Sequence, residues 1–410
     1  MSKMNIDQQV ALLMQGTEYG DDQLAEAMAA ELRQRLIDSE RQGRPLRVYC
    51  GFDPRTSDLH LGHTVPLRKL GQFQELGHEV IFVIGRFTSL IGDPSDKEEA
   101  RNQLNLAQTT HNAETYAQQA FKILDPSITK IEYNDTWLSG LSFADVIHIA
   151  SNFTVQQFLS RETFRNRYDA GDPIYLHEFF YALMQAYDAY HLKTDVQVGG
   201  SDQLFNIVTA GRKFMEAMGV PPNIGILLGI LPGTDGVARM SKSTGNHIPL
   251  LATPEDMFGK VMSVPDQAMP SYMRLLTRWT PDEISQIEAD VASGKLHPRD
   301  AKLQLAHEIV SIYQGEAKAV QAEEAFRRVF QEQLEPEEMA EFHLTGSLSL
   351  VELMVQVDLA SSKSQARRLI EQRGVKLDEA TVEDGESPLD LAAPAVLRVG
   401  KRRFVRLIPG

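Results

Sequence analysis

Apolar residues follow two rhythms along this chain. Short unbroken runs at Leu46 to Tyr49, Glu79 to Gly85, Lys130 to Tyr133, Thr194 to Val198 and Ile224 to Leu231 read as buried strands. Helical spacing fills the gaps between them, over residues 5–43, from Leu61 through Val65, Leu67 and Leu70, over 103–124, and over 174–191. Alternating strand and helix predicts an α/β fold with a doubly wound parallel sheet. Ligands in such a sheet sit at the carboxyl ends of the strands. Residues 254–342 keep only the helical rhythm, with Pro254, Pro281 and Pro298 at plausible helix starts and Gly315 at an end. In the last stretch, Leu350, Leu353, Met354 and Val357 mark one amphipathic helix and Ser364 to Gln372 a second. Gly374 to Leu377 begins a strand, and Val396 to Arg406 reads as a hairpin. The expected organisation is an N-terminal helical region at 1–45 and a doubly wound domain at 46–250 with an insertion at about 141–172. A helical domain at 251–342 and a small α+β domain at 347–410 follow.

Composition narrows this only at the edges. The chain has 410 residues, enough for two or three domains, and a net charge of −15, which opposes indiscriminate nucleic-acid binding. No apolar run reaches about 18 residues, so no membrane span is expected. The N-terminus has no basic start leading into an apolar core, so no signal peptide is expected either. A lone cysteine, Cys50, excludes an internal disulfide and any multi-cysteine zinc site. A cytoplasmic protein is the expectation. Positive charge gathers at one place, Lys363, Arg367, Arg368, Arg373, Lys401, Arg402 and Arg403. These residues form either a phosphate-tracking surface or an ordinary basic one.

Candidate chemistry begins in the stretch RVYCGFDP, continuing to HLGH at residues 60–63. The pattern is strand, tight loop, helix, with His60 and His63 around the first helical turn. Free N–H groups and the positive dipole end favour an anion there. Two imidazoles add donors that strengthen as a phosphate gains charge, and Gly62 lets a ring or ribose approach. Taken alone, these are equally two surface histidines. Far along the chain, the loop at 236–246 carries Arg239, Ser241 and Lys242 among small polar residues. Lysine suits a phosphate as a point charge on a flexible stem; a solvated surface loop is the alternative. Asp93 before a proline is either a turn-former or a carboxylate for an ammonium group. Tyr181, Gln185 and Asp188 share one helix face, which suits a small polar ligand better than a core. Gly200 and Asp202 follow a strand and precede a helix. There they permit close approach of a ribose, or merely cap the helix. Phe153, Val155, Phe158, Phe164 and Tyr168 in the insertion supply either a dimer surface or the insertion's own core.

HLGH paired with RMSKS resembles the two signatures of class I aminoacyl-tRNA synthetases. With YCGFDP, LIGDPS, YALMQAYD, GGSDQ and an S4-like tail, nearly the whole chain is similar to the bacterial tyrosyl-tRNA synthetases with a compact C-terminal domain. The resemblance implies a Rossmann-like class I catalytic domain. It implies that Tyr49 and Asp188 hold a substrate phenol, and that Asp93, Tyr181 and Gln185 hold its ammonium group. Gly51, Asp53, Gly200, Asp202 and Gln203 would line the adenylate, with Gln203 also serving the amino acid. It further implies a homodimer that binds tRNA(Tyr) across both subunits. Arg239 stands where lysine is common, Leu61 replaces a frequent isoleucine, and Arg86 has no evident role in the sequence.

The implied reaction has two steps. The carboxylate of L-tyrosine attacks the α-phosphorus of ATP, and the acyl group then passes to a terminal ribose hydroxyl of tRNA(Tyr). The nucleophile is already ionised, so the first step needs positioning and charge stabilisation rather than a base. His60, His63 and Lys242 are the expected donors, with Mg²⁺ carried by the phosphates and no protein metal site. Three rivals stand beside this reading. They are a tryptophan-specific enzyme of the same architecture, a catalytically silent RNA-binding scaffold, and a small-molecule adenylyltransferase sharing the histidine motif.

Overall fold

The computed structural model describes residues 4–54, 58–94, 115–330, 339–344, 348–378, 380–387, 389, 391, 393–400 and 403–409. They form two compact units, Met1–Glu316 and Ala317–Gly410.

The first unit is built on five strands, β1 (Arg47–Phe52), β2 (Glu79–Ile84), β3 (Thr129–Tyr133), β4 (Val196–Gly200) and β5 (Ile224–Leu228). All pair in parallel, in the order β3-β2-β1-β4-β5. The order reverses between β1 and β4, which opens a crevice at their carboxyl ends. Helices cover both faces, so β2 and β5 are buried almost throughout, in keeping with their unbroken apolar runs. Each buried aliphatic side chain contributes roughly 1.5–3 kcal/mol of transfer free energy.

Helix α1 (Ile6–Met14) starts at a capping box on Asn5, and α2 (Asp22–Gln42) runs from an Asp21 cap to Gly43 at φ +61. Helix α3 (Leu61–Glu75) follows β1. Three polar contacts fix it from outside the sheet. Lys69 Nζ, buried, donates to the carbonyls of Leu12 (2.9 Å) and Gln15 (3.1 Å) at the end of α1. Arg68 donates to Thr277 O at 3.1 Å, and Thr64 Oγ1 lies 2.7 Å from Tyr313 Oη. The helices Met269–Leu276 and Pro298–Gln314 therefore brace α3, and with it the histidines at its start.

Several expectations need correcting. The last strand stops at Leu228 rather than Leu231, because the Leu231 carbonyl takes the N–H of Met240 instead. After GGSDQ the chain makes one 3₁₀ turn (Ser201–Gln203) and then a π-helical turn over Phe205–Gly211 before Arg212–Ala217 becomes α-helical. Wide turns of this kind often accompany functional sites. In the insertion Phe158 and Phe164 are buried in a core shared with the helix Leu176–Leu192 and with Phe205, Ala210 and Phe214, Phe153 packs against it, and Val155 and Tyr168 are exposed. Of the helix expected over 103–124, the segment before residue 115 lies outside the described residues, and 115–120 are helical. Arg86 acquires a structural role: its Nε pairs with Asp135 at 2.9 Å and its guanidinium stacks 4.2 Å from the Tyr133 ring.

The second unit has its own five-stranded sheet, ordered β6-β10-β9-β7-β8. The strands are β6 (Ala340–His343), β7 (Val375–Leu377), β8 (Ala380–Thr381), β9 (Ala395–Val399) and β10 (Arg403–Ile408). The helices Leu350–Gln356 and Lys363–Glu371 pack on it around Leu353, Met354, Val375, Leu397 and Leu407. Residues 340–342 close the stretch expected to be helical, and β6 takes them with His343. They instead form an edge strand parallel to β10. Four residues make too short a helix to offset its nucleation cost, whereas a sheet edge pairs their backbone directly.

Candidate active site

The crevice between β1 and β4 holds a cavity of about 350 Å³. At its floor Tyr49, on β1, and Asp188, on the helix Leu176–Leu192, are 1% and 4% exposed. Tyr49 Oη donates to the Gln185 carbonyl at 3.3 Å. Asp188 receives Trp137 Nε1 at 2.7 Å on one oxygen and Asn134 Nδ2 at 3.3 Å on the other. Burial pushes the Asp188 carboxyl up to about 7, against the pull of those two donors. Burial, with Asp188 next, raises the Tyr49 phenol well above its ordinary range. The pair is therefore a neutral donor beside a carboxyl poised to accept.

A chain of hydrogen bonds leads outward from the floor. Asn134 Nδ2 also donates to Thr88 Oγ1 at 3.1 Å, Thr88 donates to Asp53 Oδ1 at 2.7 Å, and Tyr181 donates to Asp53 Oδ2 at 3.1 Å. Gly85 sits against this chain, where an added Cβ would lie 2.2 Å from Asp53 Oδ1 and 2.3 Å from Thr88 Oγ1. Midway up, Asp93 is held by Gln203 Nε2 at 2.6 Å and by Arg161 Nη2 at 3.1 Å. Gln185 lines the cavity, and its Oε1 is buried without a hydrogen-bond partner among the described residues. Gly51, Gly200 and Asp202 line the same cavity, and Gly51 faces open space.

At the rim, His60 and His63 open α3. Gly62 N donates to His60 Nδ1 and His60 N donates to His63 Nδ1, each at 3.2 Å. Each Nδ1 is thus an acceptor, which leaves the proton on Nε2 of both rings. Burial first, then the His63 and His247 rings and the cations Lys242 and Arg239, lowers His60 to about 2; burial, then Arg239 and Lys242, lowers His63 to about 4. Both are neutral Nε2–H donors, 3.8 Å apart by ring centroids. Pro66, inside the first turns, cannot donate back to Gly62 O, so that carbonyl lacks its helical partner.

The loop at 236–246 lies beside them. Its far end is stitched to the start of α3 by Leu61 N to Ile248 O (3.0 Å) and Leu250 N to Leu59 O (2.9 Å). Its near end is anchored by the buried Met240. Buried Asn246 organises the turn. It accepts from Ser241 N and Thr244 Oγ1 at 2.8 Å, and donates to Asp235 at 2.6 Å and Arg239 O at 3.2 Å. Arg239 lines both the main cavity and the chamber next to it, and Ser241 and Lys242 line that chamber alone. Lys242 Nζ rests 3.7 Å from Asp58, a loose surface pair.

On the second unit, three of the expected RNA-facing cations are paired with acids. Lys363 meets Glu352 at 2.8 Å, Arg367 meets Glu386 at 2.6 Å and Arg373 meets Glu383 at 3.1 Å. Exposed pairs of this kind are weak and can exchange for phosphate. Arg368 lies on the same helix, and Arg403 donates to the Leu359 carbonyl. Lys401 and Arg402 lie outside the described residues.

Sequence reasoning missed Thr88, Trp137, Arg161 and Asn246 as contributors and left Asn134 open. Asn134 and Trp137 stand at the carboxyl end of β3, where the switch-point rule could have found them. Arg161 gives no local signal.

Residues 41–331 match the family described as tRNA synthetases class I (W and Y), and 349–391 match the S4 domain. A tyrosine–tRNA ligase of Moorella thermoacetica is 47% identical, covering 92% of this chain and 91% of its own. One of Thermotoga maritima is 45% identical, covering 92% and 93%. Among solved structures, a tyrosyl-tRNA synthetase from Archaeoglobus fulgidus complexed with L-tyrosine aligns at TM-score 0.59 and 22% identity, over 78% of this chain and 100% of that one. A tryptophanyl-tRNA synthetase from Encephalitozoon cuniculi bound to tryptophan aligns at 0.55 and 14%, over 78% and 96%. At these identities the two structures show the fold alone.

Asn246→Ala should release the loop without touching the cavity floor. Loss of several buried hydrogen bonds, about 1–3 kcal/mol, predicts roughly tenfold or faster proteolysis within 236–246. Unchanged cleavage would mean that Asn246 does not organise the loop.

Proposed function

We infer the division of labour in this site from one premise: the chain belongs to the tyrosine–tRNA ligase family of class I aminoacyl-tRNA synthetases. The reaction is ATP-dependent joining of tyrosine to its tRNA. The observation that carries the residue assignment is the floor pair. A buried phenol donor and a buried carboxyl acceptor suit a ligand whose far end both accepts and donates, which a phenol does and an indole does not.

Tyr49 and Asp188 therefore hold the substrate hydroxyl. Asp93, Tyr181, Gln185 and Gln203 surround its ammonium group. The adenosine and ribose of ATP lie along Gly51, Asp53, Gly62, Gly200 and Asp202. The α-phosphate meets His60 and His63, whose Nε2–H groups strengthen their hydrogen bonds as charge builds on the pentacoordinate centre. Lys242, with Arg239 and Ser241, swings from Asp58 to the departing pyrophosphate. Among the described residues no group of three or more His, Cys, Asp or Glu side chains could hold a metal, so Mg²⁺ would arrive on the triphosphate. The adenylate then passes its acyl group to the 3′-terminal adenosine of tRNA(Tyr).

Lys363, Arg367, Arg368, Arg373, Lys401, Arg402 and Arg403 serve the tRNA backbone. The exposed Phe143, Ile147, Val155 and Leu176 offer a second copy an apolar face, which supports a homodimer. No helix among the described residues is long and apolar enough to cross a membrane, and a cytoplasmic enzyme fits that.

Exchange of labelled pyrophosphate into ATP should depend on L-tyrosine and not on L-tryptophan. Lys242→Ala should slow it roughly 10²–10³-fold with little change in tyrosine affinity. Exchange with tryptophan, or at the normal rate without Lys242, contradicts the assignment. A chain lacking residues 347–410 should keep exchange and scatter light as two chains, yet fail to charge tRNA. A monomer, or undiminished charging, contradicts the surfaces assigned here.

A further inference from the structure

Asp93 and Arg161 form the wall between two chambers. Asp93 lines the cavity that ends at Asp188, whereas Arg161 lines the neighbouring chamber, which it shares with His60, His63 and Lys242. The pair is buried, with side chains 16% and 6% exposed, and joined at 3.1 Å. Arg161 is fixed from behind. It occupies the residue before the helix Glu162–Ala170, and its guanidinium lies 5.6 Å from the Phe164 ring and 5.9 Å from the Phe205 ring. Gln203 holds the other Asp93 oxygen. Two opposite charges are therefore held in a fixed order, with the negative one toward the amino-acid cavity and the positive one toward the phosphate chamber.

We propose that Arg161 is a further substrate-binding residue, reading the α-carboxylate of the amino acid while Asp93 reads the ammonium group beside it. The inference rests on the tyrosine reading above. The head group of an amino acid is itself a pair of opposite charges on adjacent atoms. With the phenol at the floor and the ammonium at Asp93, its carboxylate points to the chamber where His60, His63 and the α-phosphate meet. A carboxylate accepts up to about four hydrogen bonds, so the ammonium can join Asp93 without displacing the guanidinium. Arg161 then presents a free edge to the nucleophile. Its charge lessens repulsion between the carboxylate and the triphosphate, and its planar donors orient the attacking oxygen.

The test compares ligands that differ in head-group charge. Calorimetric titration of the full-length protein with L-tyrosine and with tyramine, which lacks the carboxylate, should show tyrosine binding roughly tenfold or more tightly, as one charge-assisted contact allows. In Arg161→Gln that preference should disappear, with tyramine affinity unchanged or increased because Asp93 loses a competitor. Arg161→Lys should restore part of it. Equal affinities in the unaltered protein overturn the proposal whether or not any variant folds. So does a parallel loss for both ligands in Arg161→Gln, which would leave Arg161 as support for Asp93 only. If neither ligand binds the unaltered protein, the tyrosine reading itself fails.

Discussion

One carboxyl group at the bottom of a crevice constrains most of this structure. Asp188 is buried among apolar side chains, and among the described residues no cation pairs with it. An ionised carboxylate in such a place is costly unless hydrogen bonds compensate. The fold supplies two of them, from Trp137 and Asn134 just beyond β3. That requirement fixes how the helix Leu176–Leu192 lies against β1 and β3, and so where Tyr181 and Gln185 point. A third donor would still be accommodated, and that is the place proposed above for the substrate hydroxyl.

The rim obeys a different rule. There the fold offers donors and positive potential, at the place proposed above for the α-phosphate. Neutral imidazoles are better suited to this in the empty site than imidazoliums, since two cations 3.8 Å apart would repel. Capping bonds to the backbone orient both rings, and braces from α1 and from the helices after the loop hold α3 still. The loop carrying Lys242 is tied at both ends yet exposed at its tip. That allows the lysine to move while its anchors stay.

Legibility in the sequence followed the range of the interaction. The parallel sheet was readable because β1, β2, β4 and β5 are nearly continuous apolar runs, and the helix face of Tyr181, Gln185 and Asp188 because its spacing is local. HLGH and RMSKS were readable as patterns, though their adjacency came only from the resemblance. Contacts bridging distant segments were not visible: Trp137 to Asp188, Arg161 to Asp93, and the pairing of β6 with β10. Residues 340–343 carry too short a pattern to distinguish strand from helix until a partner edge exists. The π-helical turn after GGSDQ likewise has no composition of its own. Arg86, odd in the sequence, becomes ordinary once Asp135 and Tyr133 are seen beside it.

Central to all of this is a carboxyl at Asp188 that is poised to ionise when a phenol arrives. With its midpoint pushed up to about 7, roughly half of it is protonated at pH 7 in the empty site, and a donated hydroxyl favours the carboxylate. Titrating L-tyrosine at pH 7 in two buffers of different ionisation enthalpy counts the protons released. The expected value is ~0.5 proton per tyrosine bound, falling to none in Asp188→Asn. No release from the unaltered protein, or the same release from Asp188→Asn, would contradict the account.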